Sequence, residues 1–192
     1  EKNEVSYSFK RQTLADGTIN YTADYNEGTP TSVKILTGTH TSVIHLHPKK
    51  SETAGSIFSF QDMMALNSLY NDAHIYSQED NSIALLLLCP DPLNNENHNV
   101  YALTVKNNIL LNDAITNYFN ISKWASYTNI DKRLEAIQND LADKYIANKN
   151  NLEAFFLHYF ENYGISLYKL QNNTWNQLAL TNNNTVIILP NN

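Results

Sequence analysis

The nearly continuous apolar run over residues 81–89 constrains the fold more than any other part of this sequence. A strand that is apolar on both faces is expected in the middle of a sheet. Residues 100–105 follow a turn that contains Pro90, Asp91, Pro92 and several asparagines, and they read as a second strand. The two segments together predict a hairpin at the centre of the sheet.

Further strands are predicted at both ends of the chain, where Gly, Pro, Asp and Asn separate runs of β-forming residues. At the beginning they cover residues 5–10, 19–25, 32–36 and 41–47. At the end, residues 164–170, 174–180 and 185–189 predict a small meander with Asn-rich turns. Apolar residues at helical spacing predict helices over residues 59–70, 109–119 and 131–163, the last with a break near residues 148–151.

This order of elements predicts an α+β protein built as an α/β/α sandwich with a mixed sheet, followed by C-terminal helices and a small β-meander. The length of 192 residues suits one domain, with or without an appended subdomain.

Composition narrows the classes of function. The net charge of −6 and the lack of any long Lys/Arg cluster exclude a protein that binds nucleic acid by neutralising phosphates. No apolar run is long enough to span a bilayer, so we expect a soluble protein, and whether it is secreted or extracytoplasmic stays open. Cys89 is the only cysteine, which excludes a disulfide within this sequence.

The segment His45-Leu46-His47-Pro48 carries the clearest chemical signal. Residues two apart on a strand point to the same face, so His45 and His47 form an imidazole pair. Zinc binds neutral histidine nitrogens and is usually four-coordinate, so the pair needs a further protein ligand. A carboxylate is the natural candidate.

Ser59 and Asp62 follow at the start of the predicted helix, where residues three apart share a face. If the connection from residue 48 to residue 58 folds back, Asp62 reaches the imidazoles and completes a His-His-Asp site with a position left for water. Ser59-x-x-Asp62 is also a good helix N-terminus, since both side chains can accept hydrogen bonds from free backbone N–H groups. Both interpretations can hold together.

HxHP followed by SxxD resembles the JAB/MPN metallopeptidases, also called JAMM proteins. The sequence is most similar to short, divergent JAB-like domains of uncharacterised bacterial proteins, in which a Phe-Ser-x-x-Asp segment follows HxHP. The resemblance implies a cytidine-deaminase-like core in which His45, His47 and Asp62 bind zinc and Ser59 stabilises the oxyanion. It also implies a catalytic Glu acting as acid and base, for which Glu4 is the first candidate and Glu27 the alternative.

The resemblance covers the first part of the chain, so we predict a JAB/MPN-like core over residues 1–107 and a packed extension over residues 108–192. The extension could cap the site, dock a partner or select a substrate. The leading hypothesis is a zinc metallopeptidase or isopeptidase acting on a peptide or protein. The competing hypothesis is a non-catalytic JAB-like interaction module of a larger secreted, phage-related or toxin-like assembly.

Overall fold

The structure is a computed structural model that describes residues 3–48, 55–76, 82–94 and 96–190. Within these ranges the chain forms eight strands and four α-helices. In chain order they are β1 (Val5–Thr13), β2 (Ile19–Glu27), β3 (His40–Leu46), α1 (Phe60–Ile75), β4 (Ala84–Pro90), β5 (His98–Val105), α2 (Asn108–Asn120), α3 (Ile130–Ala147), α4 (Leu152–Tyr159), β6 (Ile165–Gln171), β7 (Thr174–Leu180) and β8 (Val186–Ile188). Short 3₁₀ turns cover Ser122–Trp124 and Lys149–Asn151.

All eight strands form one mixed sheet in the order β2-β1-β3-β4-β5-β6-β7-β8. Only β3 and β4 pair in parallel, and α1 connects them, as a parallel pair requires a crossover. The predicted central hairpin is confirmed, since β4 and β5 pair in antiparallel fashion. Residue 81, where the first of these strands was predicted to begin, lies outside the described residues.

The terminal meander is confirmed, and it extends the central sheet because β6 pairs with β5. Its turns use the expected tolerance of asparagine for left-handed backbone conformations. Asn172, Asn173 and Asn184 have φ angles of 50°, 60° and 56°. The sheet thus crosses the predicted boundary between residues 107 and 108, while the division into two domains stays a prediction.

The strand predicted over residues 32–36 is wrong. This segment makes only an isolated bridge between Thr29 and Ser32. Both edges of β1 are already occupied by β2 and β3, so no ladder position beside it is free. The segment is instead held by side chains of β1: the Ser6 hydroxyl donates to the Lys34 carbonyl at 2.7 Å, and the Leu36 N–H donates to Ser8 Oγ at 3.1 Å.

The mixed α+β class is confirmed, but the structure shows one helical layer where a sandwich of two was expected. The four helices bury their apolar residues in a single core against one face of the sheet. The sheet residues of that core all point the same way: Val43, Leu85, Leu87, Cys89, Tyr101, Leu103, Leu167 and Leu178. No helix in the described ranges adds residues from the opposite face to this core.

Within the helical layer, α1 lies next to β3, the strand that carries the histidines, and it also contacts β4 and β5. Helix α3 packs against α1. Helices α3 and α4, separated by the turn Lys149–Asn151, confirm the predicted helical segment and its break. None of the helices in the described ranges is long and apolar enough to cross a membrane.

Candidate metal centre

Strand β3 carries His45 into the interior on the helical face of the sheet. β1 and β4 pair with β3 on its two sides, which leaves the His45 side chain almost fully buried. His47 lies just beyond the end of β3, and its N–H still donates to the Leu88 carbonyl at 3.0 Å. The strand alternation therefore extends to His47, and the two imidazole rings lie 5.0 Å apart.

A backbone carbonyl fixes the orientation of the second imidazole. Nδ1 of His47 lies 2.7 Å from the carbonyl oxygen of Gly55. A carbonyl can only accept, so Nδ1 carries a proton, and in the neutral ring Nε2 keeps its lone pair. Hydrogen bonding of the distal nitrogen to a carbonyl is how metal-binding histidines are commonly held. This contact could not be predicted from the sequence, because any residue type can supply a backbone carbonyl.

Asp62 is held by the first turn of α1. The Asp62 N–H donates to Ser59 Oγ at 3.2 Å, and the Ser59 N–H donates to Oδ2 of Asp62 at 2.6 Å. This reciprocal pair is a capping box, so Ser59-x-x-Asp62 begins the helix as the sequence indicated. The cap occupies Oδ2 and leaves Oδ1 directed at the histidine strand.

Oδ1 of Asp62 lies 3.1 Å from Nε2 of His45, and both side chains are buried. Burial disfavours the charged form of each group, but the attraction to neighbouring opposite charges outweighs this effect. The pKa of His45 is raised because the carboxylates of Asp62 and Glu4 outweigh the loss of solvation. The pKa of Asp62 is lowered because His45, His47 and the Ser59 N–H outweigh its own burial. Without a metal, the two groups form an ion pair.

Three side chains could hold a metal ion together: His45, His47 and Asp62. Each offers one ligand atom, an imidazole nitrogen or a carboxylate oxygen, and these atoms all lie within 4.8 Å of one another. Ligands of one tetrahedral zinc ion lie about 3.3 Å apart, so small rotamer changes would bring the group to bonding distance. Neither ring nitrogen of His45 makes a well-directed hydrogen bond among the described residues, and Nε2 meets Asp62 as an ion pair. A buried ring nitrogen without a well-directed hydrogen bond is costly, and a metal that displaces the His45 proton would bind that nitrogen instead. The donor set therefore fits zinc.

The two candidate glutamates lie on opposite faces of the sheet. Glu4 is buried just before β1, lines the same cleft as the three ligands, and contributes to the raised pKa of His45. Its backbone is fixed by hydrogen bonds to Gly28 and Thr29. Glu27 pairs in register with Val5, pointing away from His45, and accepts a hydrogen bond from Asn3. Of the two, only Glu4 faces the ligand group.

A cleft of about 760 Å³ opens onto the ligand group. Its walls are the segment of residues 31–37, helix α1 and helix α3, and Ser59 also faces it. Tyr145 of α3 joins this wall to the loop before α1, because its hydroxyl donates to the Phe58 carbonyl at 2.6 Å. The sequence left the role of the C-terminal helices open, since a contact between residues 87 positions apart leaves no periodic trace.

Comparisons of the chain with protein-family models, with curated proteins and with solved structures find no match. The resemblance to JAB/MPN metallopeptidases stays a prediction. A metal centre in this chain is therefore supported by the arrangement of its own side chains.

Proposed function

We propose that the protein is a zinc-dependent hydrolase of JAB type that cleaves an amide bond in a peptide or protein. The observation that carries the proposal is the convergence of His45, His47 and Asp62 at the base of a cleft that also contains Glu4. A neutral imidazole pair with one carboxylate is the donor set of many hydrolytic zinc sites, which keep a position open for water.

Zinc bound there would supply a water of lowered pKa and a Lewis acid for the scissile carbonyl. The chain supplies the proton transfers. Glu4 is the carboxylate on the cleft that no ligand role occupies, so it takes a proton from the attacking water and delivers it to the leaving amine. Glu4 is itself buried and lines the same cleft as the ligand group.

The Ser59 hydroxyl is oriented for the developing oxyanion. Ser59 Oγ accepts from the Asp62 N–H, so its own O–H remains available as a donor into the cleft. Removing one such donor commonly lowers kcat by about 10²-fold to 10³-fold. Ser59 thus joins two roles, a helix cap and a transition-state donor.

A second function is favoured by the uncovered face of the sheet. Tyr7 and Tyr25 lie on that face, 40% and 53% exposed, and their rings pack 5.2 Å apart. Exposed aromatic side chains on a sheet are typical of protein contacts. A non-catalytic interaction module of a larger assembly would use this face and need no acid or base at the metal site.

Measuring the metal content tests whether the site binds zinc, separately from whether the protein hydrolyses an amide bond. Protein purified without chelator is expected to contain about one zinc per chain by mass spectrometry, and a His45→Ala/His47→Ala variant none. Glu4→Gln, which keeps all three ligands, is the matched control and should retain zinc while losing amide hydrolysis. Zinc in the wild type with equal hydrolysis by Glu4→Gln would contradict the proposed proton transfer. No zinc in any variant after reconstitution would favour the interaction module.

A further inference from the structure

The described walls of the cleft carry no charged side chain away from the metal centre. Among the described residues that line it, the only carboxylates are Glu4 and Asp62, both at the metal centre, and none is a lysine or arginine. The rest of the lining is uncharged, with apolar side chains such as Val33, Met64 and Leu134 between polar ones. Along the described walls, a guest in this cleft therefore meets fixed charge at one end.

That end is balanced when a divalent cation is bound, because two carboxylates offset its charge. Among the described lining residues, a guest with a free carboxylate or an acidic side chain would find no cationic partner along the walls, and a basic guest would find no carboxylate beyond the two at the metal centre. Burying a charge without a partner costs several kcal/mol, whereas an uncharged segment has no such penalty. The cleft thus discriminates against charge of either sign.

Side-chain amides on two helices provide polar contacts without charge. Gln61 lies on α1, and Gln138 and Asn139 lie on α3; all three line the cleft. Gln138 is half-buried there. An amide both donates and accepts, so it suits the N–H and C=O groups of a peptide backbone. Helix α3 belongs to the C-terminal part of the chain and contributes none of the three candidate metal ligands.

We propose that the substrate is an uncharged, partly apolar stretch inside a polypeptide, cleaved away from any chain-terminal carboxylate, and that Gln138 on α3 helps to select it. This inference rests on the proposed hydrolysis for its chemistry, but the selection of an uncharged guest is a property of the walls. It therefore shows in binding as well as in cleavage.

The test uses zinc-loaded, immobilised Ser59→Ala protein, which keeps both carboxylates at the metal centre and should cleave slowly, and a mixture of synthetic peptides with blocked ends. The peptides have uncharged centres, or the same centres with one Asp or one Lys, and each also exists with a free carboxyl end near the centre. Depletion from the mixture is read by mass spectrometry. We expect uncharged, blocked peptides to be depleted at least tenfold more than the charged and carboxyl-ended ones. Zinc-loaded wild type then cleaves the depleted peptides.

Gln138→Lys tests whether the α3 wall selects the substrate, because it places a cation in the cleft. It should raise the depletion of Asp-containing peptides threefold to tenfold, as expected for a partly buried ion pair. Ala147→Lys is the matched control, since it adds the same charge to an exposed position of α3 outside the cleft lining. It should leave the pattern of the parent protein unchanged.

Equal depletion of charged peptides, depletion of none, or the same shift in both lysine variants would overturn the inference. Depletion of uncharged peptides that wild type fails to cleave would instead refute the proposed hydrolysis and leave the selection intact.

Discussion

Strand β3 bears a buried histidine near each end, each paired with an aspartate, and the two pairs differ in what surrounds the ring. His40 lies with Nε2 2.8 Å from Asp24 and Nδ1 2.8 Å from the Thr37 carbonyl. His45 lies 3.1 Å from Asp62, with neither ring nitrogen hydrogen-bonded among the described residues. Both rings are buried, at 5% and 1% exposure.

The difference shows that a His–Asp pair is not by itself a site. The protein saturates His40, so this ring fastens the segment of residues 31–37 to β2 and β3. At His45 it leaves an ion pair without a well-directed hydrogen bond and adds a second imidazole and a cleft. The further ligand atoms beside a buried ring are thus the feature that distinguishes a candidate ligand from a structural histidine.

The largest expected effect that separates the two pairs is stabilisation by zinc. At free zinc about 1,000 times the Kd, a ligand that binds only the folded state stabilises it by about 4 kcal/mol. Wild type and His40→Ala should both gain this, whereas His47→Ala should gain almost none. Urea unfolding with and without zinc measures the gain. Equal gains in all three proteins would place the zinc elsewhere.

The second effect is the structural role of His40. In His40→Ala the partly buried Thr37 carbonyl loses its partner and Asp24 loses one of two, so we expect the metal-free protein to lose roughly 1–3 kcal/mol of unfolding free energy. Zinc affinity measured by calorimetry should stay within about threefold of wild type. A loss of zinc binding with unchanged stability would reverse the roles assigned to the two histidines.

The sequence predicts the ligand strand well because alternation along a strand is local. The same holds for Ser59 and Asp62, whose spacing is a helix cap as well as a site. What it could not supply is tertiary: that residues 31–37 bind β1 through Ser6 and Ser8, and that α3 forms a wall of the cleft. The face of the sheet without helices was also missed, since a mixed sheet with strong strands is compatible with one helical layer or two.

Ser59→Ala distinguishes the role of Ser59 as a helix cap from its proposed role in catalysis, and its expected effect on stability is smaller. Loss of an N-cap side chain costs about 1 kcal/mol, and Asn129→Ala at the start of α3 is the matched control, because Asn129 Oδ1 accepts from the Lys132 N–H at 3.0 Å. Both variants should lose similar stability in urea unfolding. Zinc affinity should persist in Ser59→Ala, since the backbone N–H that holds Asp62 Oδ2 is retained.

Only Ser59→Ala should lower kcat, by about 10²-fold, if its hydroxyl donates to the oxyanion. An equal loss of kcat in the two cap variants would leave Ser59 with its structural role alone.

The smallest expected effect is the pH dependence of the metal-free protein, because burial works against the carboxylates at His45. Its raised pKa means that the folded state binds the proton more tightly, so this stabilisation is complete below the ordinary value of 6.5 and is lost as pH rises through the raised value. Asp62, with its lowered pKa, contributes stability above its ordinary value of 3.8 and loses it as pH falls below.

Urea unfolding of wild type and His45→Gln in chelator, from pH 5 to pH 8, isolates this contribution, because the difference cancels the other histidines. The difference should shrink as pH rises, while zinc affinity grows over the same range, since binding must displace the His45 proton. At His40 no such competition exists, because no metal is expected there. A difference between the two proteins that stays constant from pH 5 to pH 8 would mean that His45 is neutral in the fold and that the ion pair with Asp62 is absent.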